Sequence, residues 1–136
     1  IECDRLSSGH GSFELGVPLS ENAPLTPLTI ERAHLVGTVQ SGSLALSRGS
    51  LNGYLTRASL GSIIQSLQAS CVDESGGDLC ETLQASDVDE LIDFVANFIL
   101  GGFDTSLLAT GPESCSGEYC NAISVCIGFE AQSIAL

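Results

Sequence analysis

The stretch LTIERAHLVGTVQSGSLALSRGSLNGYLTRASLGSIIQSL, residues 28–67, changes its apolar period partway along, and that change decides the fold class. Over residues 28–40 apolar and polar residues alternate as in a half-buried strand, but the phase shifts from Leu28 and Ile30 to Ala33, Leu35 and Val39. A one-residue change of face predicts a β-bulge near Glu31. Ser41-Gly42-Ser43 reads as a turn and residues 44–56 as a further strand, with a second phase change around Gly49 that is a bulge or another turn. This much is an antiparallel meander. From Ala58 the spacing becomes helical, because Leu60, Ile63, Ile64, Leu67 and Cys71 recur on one face of a 3.6-residue period.

Toward the N-terminus, residues 1–12 carry turn formers without periodicity and read as an irregular lead-in. Phe13, Leu15 and Val17 then alternate with Glu14 and Gly16 before Pro18 stops a short edge strand. Downstream, Ser86 is placed to cap a second helix whose first turn holds Asp87, Asp89 and Glu90. Val88, Leu91, Ile92, Val95, Phe98 and Ile99 make its expected buried stripe, and Gly101-Gly102 ends it. The tail, 121–136, reads as a strand with Ile123, Val125, Ile127 and Phe129 on one face and Ser124, Cys126, Gly128 and Glu130 on the other. The expected fold is α+β: an antiparallel β meander with two amphipathic helices packed on one face and a C-terminal strand, in a single disulfide-bonded domain over 1–136.

Six cysteines form an even set, as in a disulfide framework assembled outside the reducing cytoplasm. Cys71 with Cys80 and Cys115 with Cys120 are the local candidates, each enclosing a loop rich in Gly, Ser and acid. That choice leaves Cys3 with Cys126, although six cysteines allow fifteen connectivities. Neither the C-x8-C nor the C-x4-C spacing is that of a zinc site, and no metal is expected there. The chain begins at Ile1 and has no methionine, which reads as a processed protein or a fragment of a longer precursor. No run reaches the roughly 18 apolar residues of a membrane span.

Seventeen acidic residues against four arginines and no lysine leave a net charge of -13, with 43% hydrophobic residues and a mean hydropathy of +0.30. A core is affordable, and the surface repels phosphate backbones, so nucleic acid is excluded as a partner.

The meander into its helix, 28–67, and the closing segment NAISVCIGFEA, 121–131, resemble secreted lipoprotein-like proteins of myxobacteria and related bacteria. The resemblance covers about two fifths of the chain and implies an exported or envelope-attached bacterial protein without an assigned biochemical role. Those proteins carry an aspartate-rich run just before the closing motif, where this chain has Cys115-Ser-Gly-Glu-Tyr-Cys120, so no cation site is carried over.

The two histidines are the candidate general bases. His10 lies among serines without a G-x-S-x-G elbow, and His34 falls inside a strand, where a structural role is expected. The carboxylates of residues 87–93 belong to a helix N-terminus, and with no Trp and two Tyr a sugar cleft is disfavoured. Residues 73–78, DESGGD, are a candidate calcium loop that lacks the EF-hand spacing. Gly42, Gly49 and Gly53 sit in a meander and make no phosphate loop. No catalytic set and no cofactor emerges from these residues. They point to a non-enzymatic protein, secreted or on the cell surface, acting as a structural subunit or an interaction and adhesion module. The alternatives are a filament subunit that self-associates by strand addition and a binder of small apolar ligands between sheet and helices.

Overall fold

The computed structural model describes residues 5–18, 25–39, 46–71, 77–115 and 119–131. Cys3, the expected turn at 41–43, and most of the 73–78 loop lie outside them. Among the described residues seven strands form a mostly antiparallel sheet in the order β1-β3-β4-β7-β5-β6, with β2 also pairing β3. The strands are β1 Arg5–Ser7, β2 Gly11–Val17, β3 Thr26–Val39, β4 Leu46–Thr56, β5 Thr105–Leu108, β6 Gly111–Ser114 and β7 Ala122–Ala131. Between β4 and β5 the described residues form helices α1 Arg57–Ser70, α2 Gly77–Ala85 and α3 Val88–Phe94, the last continued by a π-helical turn, Val95–Ile99. The architecture is therefore broadly α+β.

Both phase changes of the meander are bulges. The β3–β4 register slips between Glu31 and His34, where Arg32 takes φ 48°, and the β4–β7 register slips between Leu46 and Gly49, where Arg48 takes φ 51°. The extra residue at Arg32 resets the alternation, so Ile30 and Ala33 both reach the core while His34 faces the opposite side with its cross-strand partner Asn52. Gly53 of β4 lies beneath this bulge. A Cβ there would overlap Ile30 Cγ2 and lie 3.0 Å from Glu31 O and 3.1 Å from Ala33 Cα, so only glycine admits the approach.

The core joins Ile30, Ala33, Leu51, Leu55 and Ile123 of the strands to Leu60 and Ile64 of α1 and to Ile92 and Ala96 of α3 and its π turn. Thr56 caps α1, accepting from Ser59 N–H at 3.1 Å. Asp87, not Ser86, caps α3 by accepting from Asp89 N–H at 2.8 Å. Ser86 is committed elsewhere, donating to Thr82 O at the end of α2.

Four further elements depart from the expectation. The lead-in read as irregular holds β1, whose three exposed residues pair with β3 from Arg5 with Thr38 to Ser7 with Val36 and show no periodicity because none is buried. Helix α2 occupies part of the segment read as a loop; Cys71–Cys80 and the Gln68 amide, which donates to Leu83 O and Ser86 O, hold it, and from Cys80 on none of its side chains is fully buried. The hairpin β5–β6 is four residues a side, too short for a periodic signal. Phe98 and Ile99, expected in the core, are 79% and 66% exposed. The helix changes here to a π turn, in which Leu100 N–H donates to Val95 O, five residues back; Ala96, one turn after Ile92, stays buried while Phe98 and Ile99 face outward.

Candidate functional site

Within each central strand the residues alternating with the core ones face the other side of the sheet, and there a cleft of about 490 Å³ opens. It is lined by His10, Arg32, His34, Asn52, Tyr54, Pro112, Ser124 and Cys126, together with Gly53 and Val125. The register explains the grouping. His34, Asn52 and Cys126 form one cross-strand row over β3, β4 and β7, and Tyr54 and Ser124 are directly paired in another. His10 arrives from the break between β1 and β2, which run consecutively along β3, and its ring lies 4.8 Å from that of His34, tilted by 43°.

The β5–β6 hairpin contributes the outer wall. Arg32 donates from one terminal guanidinium nitrogen to Leu108 O and Ala109 O, both at 3.2 Å, which ties the hairpin tip to the β3 bulge. At its base Asn121 binds Leu107, its side-chain oxygen accepting the Leu107 N–H at 2.7 Å. Asp104 accepts from Ser124 N–H at 2.9 Å, from the Thr105 hydroxyl at 2.8 Å, and from the Ser124 hydroxyl. Partial burial pushes the Asp104 carboxyl upward, but the bonds from Ser124 and Thr105 outweigh it and hold the group below its ordinary value. A carboxyl with a folded value below its unfolded one stabilises the fold fully above the unfolded value, and loses that contribution as pH falls through the folded one. Melting curves from pH 7 down to 3 are therefore expected to show Asp104→Asn less stable than the parent at neutral pH, with the gap closing in acid. A gap independent of pH would contradict the ionised network.

Of the residues weighed from sequence, the fold brings His10 and His34 together and adds Cys126, which is exposed and unbridged among the described residues. Cys71–Cys80 and Cys115–Cys120 are bridged, with Cα separations of 5.3 and 5.7 Å. Cys3, the expected partner of Cys126, lies outside the described residues. Neither imidazole has a hydrogen bond to a hydroxyl or thiol among the described residues, and no group of three His, Cys, Asp or Glu there could hold a metal ion. His34, expected to be structural, lines the cleft. Arg32 carries no motif of its own, and the phase change at Glu31 is the one sequence signal that points to it. No helix among the described residues is long and apolar enough to cross a membrane. Comparison with family models, curated proteins and solved structures gives no match, so function rests on this geometry.

Proposed function

We propose that the protein is a non-enzymatic interaction module, working outside the reducing cytoplasm, whose cleft on the polar face of the sheet holds a small anionic group such as a carboxylate or phosphate. One observation carries the reading. In a chain of net charge -13, three of the six side chains able to bear positive charge, Arg32, His10 and His34, meet in one cleft. Long-range repulsion of an anion is screened over about 8–10 Å at physiological salt, so the groups within the cleft dominate once the ligand is inside. There Arg32 offers the guanidinium N–H groups not committed to the hairpin, with Asn52, Tyr54 and Ser124 as neutral hydrogen-bonding groups. The two bridges and the resemblance to secreted lipoprotein-like proteins support export.

Calorimetric titration with acetate, citrate, inorganic phosphate and sulfate tests the proposal. At least one is expected to bind saturably, with Arg32→Gln and His34→Gln each weakening it by about tenfold, the magnitude for a charged donor to an anion. His34→Gln leaves the hairpin bonds of Arg32 intact and so separates ligand contact from support of the wall. Saturable binding that neither substitution alters would place the anion elsewhere, and no binding by any of the four would remove the reading.

A second reading has its own observation. Among the described residues β1 and β2 form one sheet edge with no further strand on it, and Leu6 there is 49% and Phe13 37% exposed, which is a template for strand addition by another copy. Native mass spectrometry distinguishes the two: concentration-dependent assembly favours strand addition, and a monomer favours the cleft alone. The space between helices and strands is filled by Leu51, Leu55, Leu60, Ile64 and Ile92, which favours a packed core over an apolar ligand site.

A further inference from the structure

The outward face of α3 and its π turn has no use in the cleft, which opens on the other side of the sheet from the core that α3 joins. Phe94, Phe98, Ile99 and Leu100 are 55%, 79%, 66% and 38% exposed, and the rings of Phe94 and Phe98 stack with centroids 5.2 Å apart. In a regular helix Ile99 would follow Ile92 and Val95 on the core side; in the π turn Phe98 and Ile99 face outward instead. Single exposed apolar residues are ordinary, whereas four contiguous ones with a stacked aromatic pair form a patch.

The charges around the patch are mainly acidic. Glu90 lies one turn before Phe94 on the same line of the helix as Phe98, and the Asp89 and Asp93 side chains are 81% and 53% exposed. The one nearby cation among the described residues, Arg57, is already committed: its guanidinium pairs with Asp93 at 2.5 Å and Asp89 at 3.9 Å and lies over the Phe103 ring. A second copy would bring the same acids and the same net charge of -13 to the contact, which disfavours self-docking. A positively charged partner meets complementary charge at the rim and apolar surface at the centre.

We infer that this face is a docking surface for a cationic amphipathic segment of a partner protein, with Phe98 as its central contact. The test uses a labelled synthetic peptide of leucine and lysine patterned at helical spacing, a scrambled peptide of equal charge, and fluorescence anisotropy on the whole chain. The patterned peptide is expected to bind more tightly than the scrambled one, with Phe98→Ser weakening it by about tenfold or more, as loss of a central aromatic contact does. Glu90→Gln is expected to reduce affinity by about two- to threefold, as befits an exposed rim charge. Because Phe98 is exposed, Phe98→Ser should melt with the parent, so the loss reads contact and not folding. Arg32→Gln should bind the peptide unchanged, which keeps this result independent of the cleft. Equal binding of both peptides, or of parent and Phe98→Ser, would reduce the effect to bulk charge and overturn the inference. So would a dimer of the parent that Phe98→Ser dissolves, which would make a second copy the occupant.

Discussion

Gly53→Ala is expected to destabilise the protein by about 1–3 kcal/mol, lowering its melting temperature by roughly 4–12 °C, although it adds a single methyl group to a strand. The added carbon would overlap Ile30 Cγ2, the branch methyl of a fully buried residue, and fall within 3.1 Å of backbone atoms of Glu31 and Ala33. The side chain can be moved by changing it, but the backbone atoms belong to the Arg32 bulge and cannot retreat without disturbing the β3–β4 register. Ile30→Ala alone should cost about 2–5 kcal/mol by leaving a void. In that background Gly53→Ala should cost less than in the parent, with a coupling of at least about 1 kcal/mol, because part of the clash is gone and the new methyl fills part of the space. Thermal melts of the parent, the two single variants and the double variant measure it. Additive effects would mean that Ile30 and Gly53 are not in contact.

The same bulge shows what could be read from sequence. Its place was legible, because a strand that buries one face must keep its phase, and Ile30 and Ala33 cannot both be buried without an extra residue between them. Strand β4, the first helix and the closing strand were legible for the same reason, each presenting periodic burial: Leu51 and Leu55 on β4, Leu60 and Ile64 on α1, Ile123 and Val125 on β7, whereas the exposed β1 gave no such signal. Where burial does not hold an element, periodicity is silent. Helix α2 is fastened by a bridge and by amide side chains, and the hairpin β5–β6 meets β7 through the single pair Thr105 and Ala122. The π turn escapes periodicity differently, since it obeys the apolar pattern as far as Val95 and then breaks the period through a hydrogen bond to Leu100. The cleft was only half legible. Its strand residues follow from alternation once the bulge is placed, but His10 and His34, 24 residues apart in sequence, meet because β1 and β2 both run along β3, which no local pattern reports.

The two bridges are expected to differ in what they protect. Chain entropy gives about 2–3 kcal/mol for closing loops as short as these. Cys71–Cys80 joins the end of α1 to α2, and Gln84 donating to Cys71 O at 2.9 Å adds to the same local attachment. A nine-residue helix is marginal on its own in water, so replacing both cysteines by alanine should release α2 while the core melts nearly as before. Cys115–Cys120 is different. It links the end of β6 to the approach of β7, and Cys120 is buried beside Asn121, whose N–H donates to Thr105 O and whose side chain holds Leu107. Losing this bridge frees the hairpin that walls the cleft and the Asp104 network at its base. The Cys115→Ala, Cys120→Ala variant should therefore lose roughly 8–10 °C and also weaken anion binding, whereas the Cys71→Ala, Cys80→Ala variant should keep the cleft intact. Hydrogen exchange on the two variants locates the loss: fast exchange confined to residues 77–85 in one, and a general loss of protection that is greatest at residues 105–115 in the other. An unchanged melt after complete reduction would show that the bridges contribute nothing to the fold, and the same pattern in both variants would show that the hairpin and α2 are held as one cooperative unit.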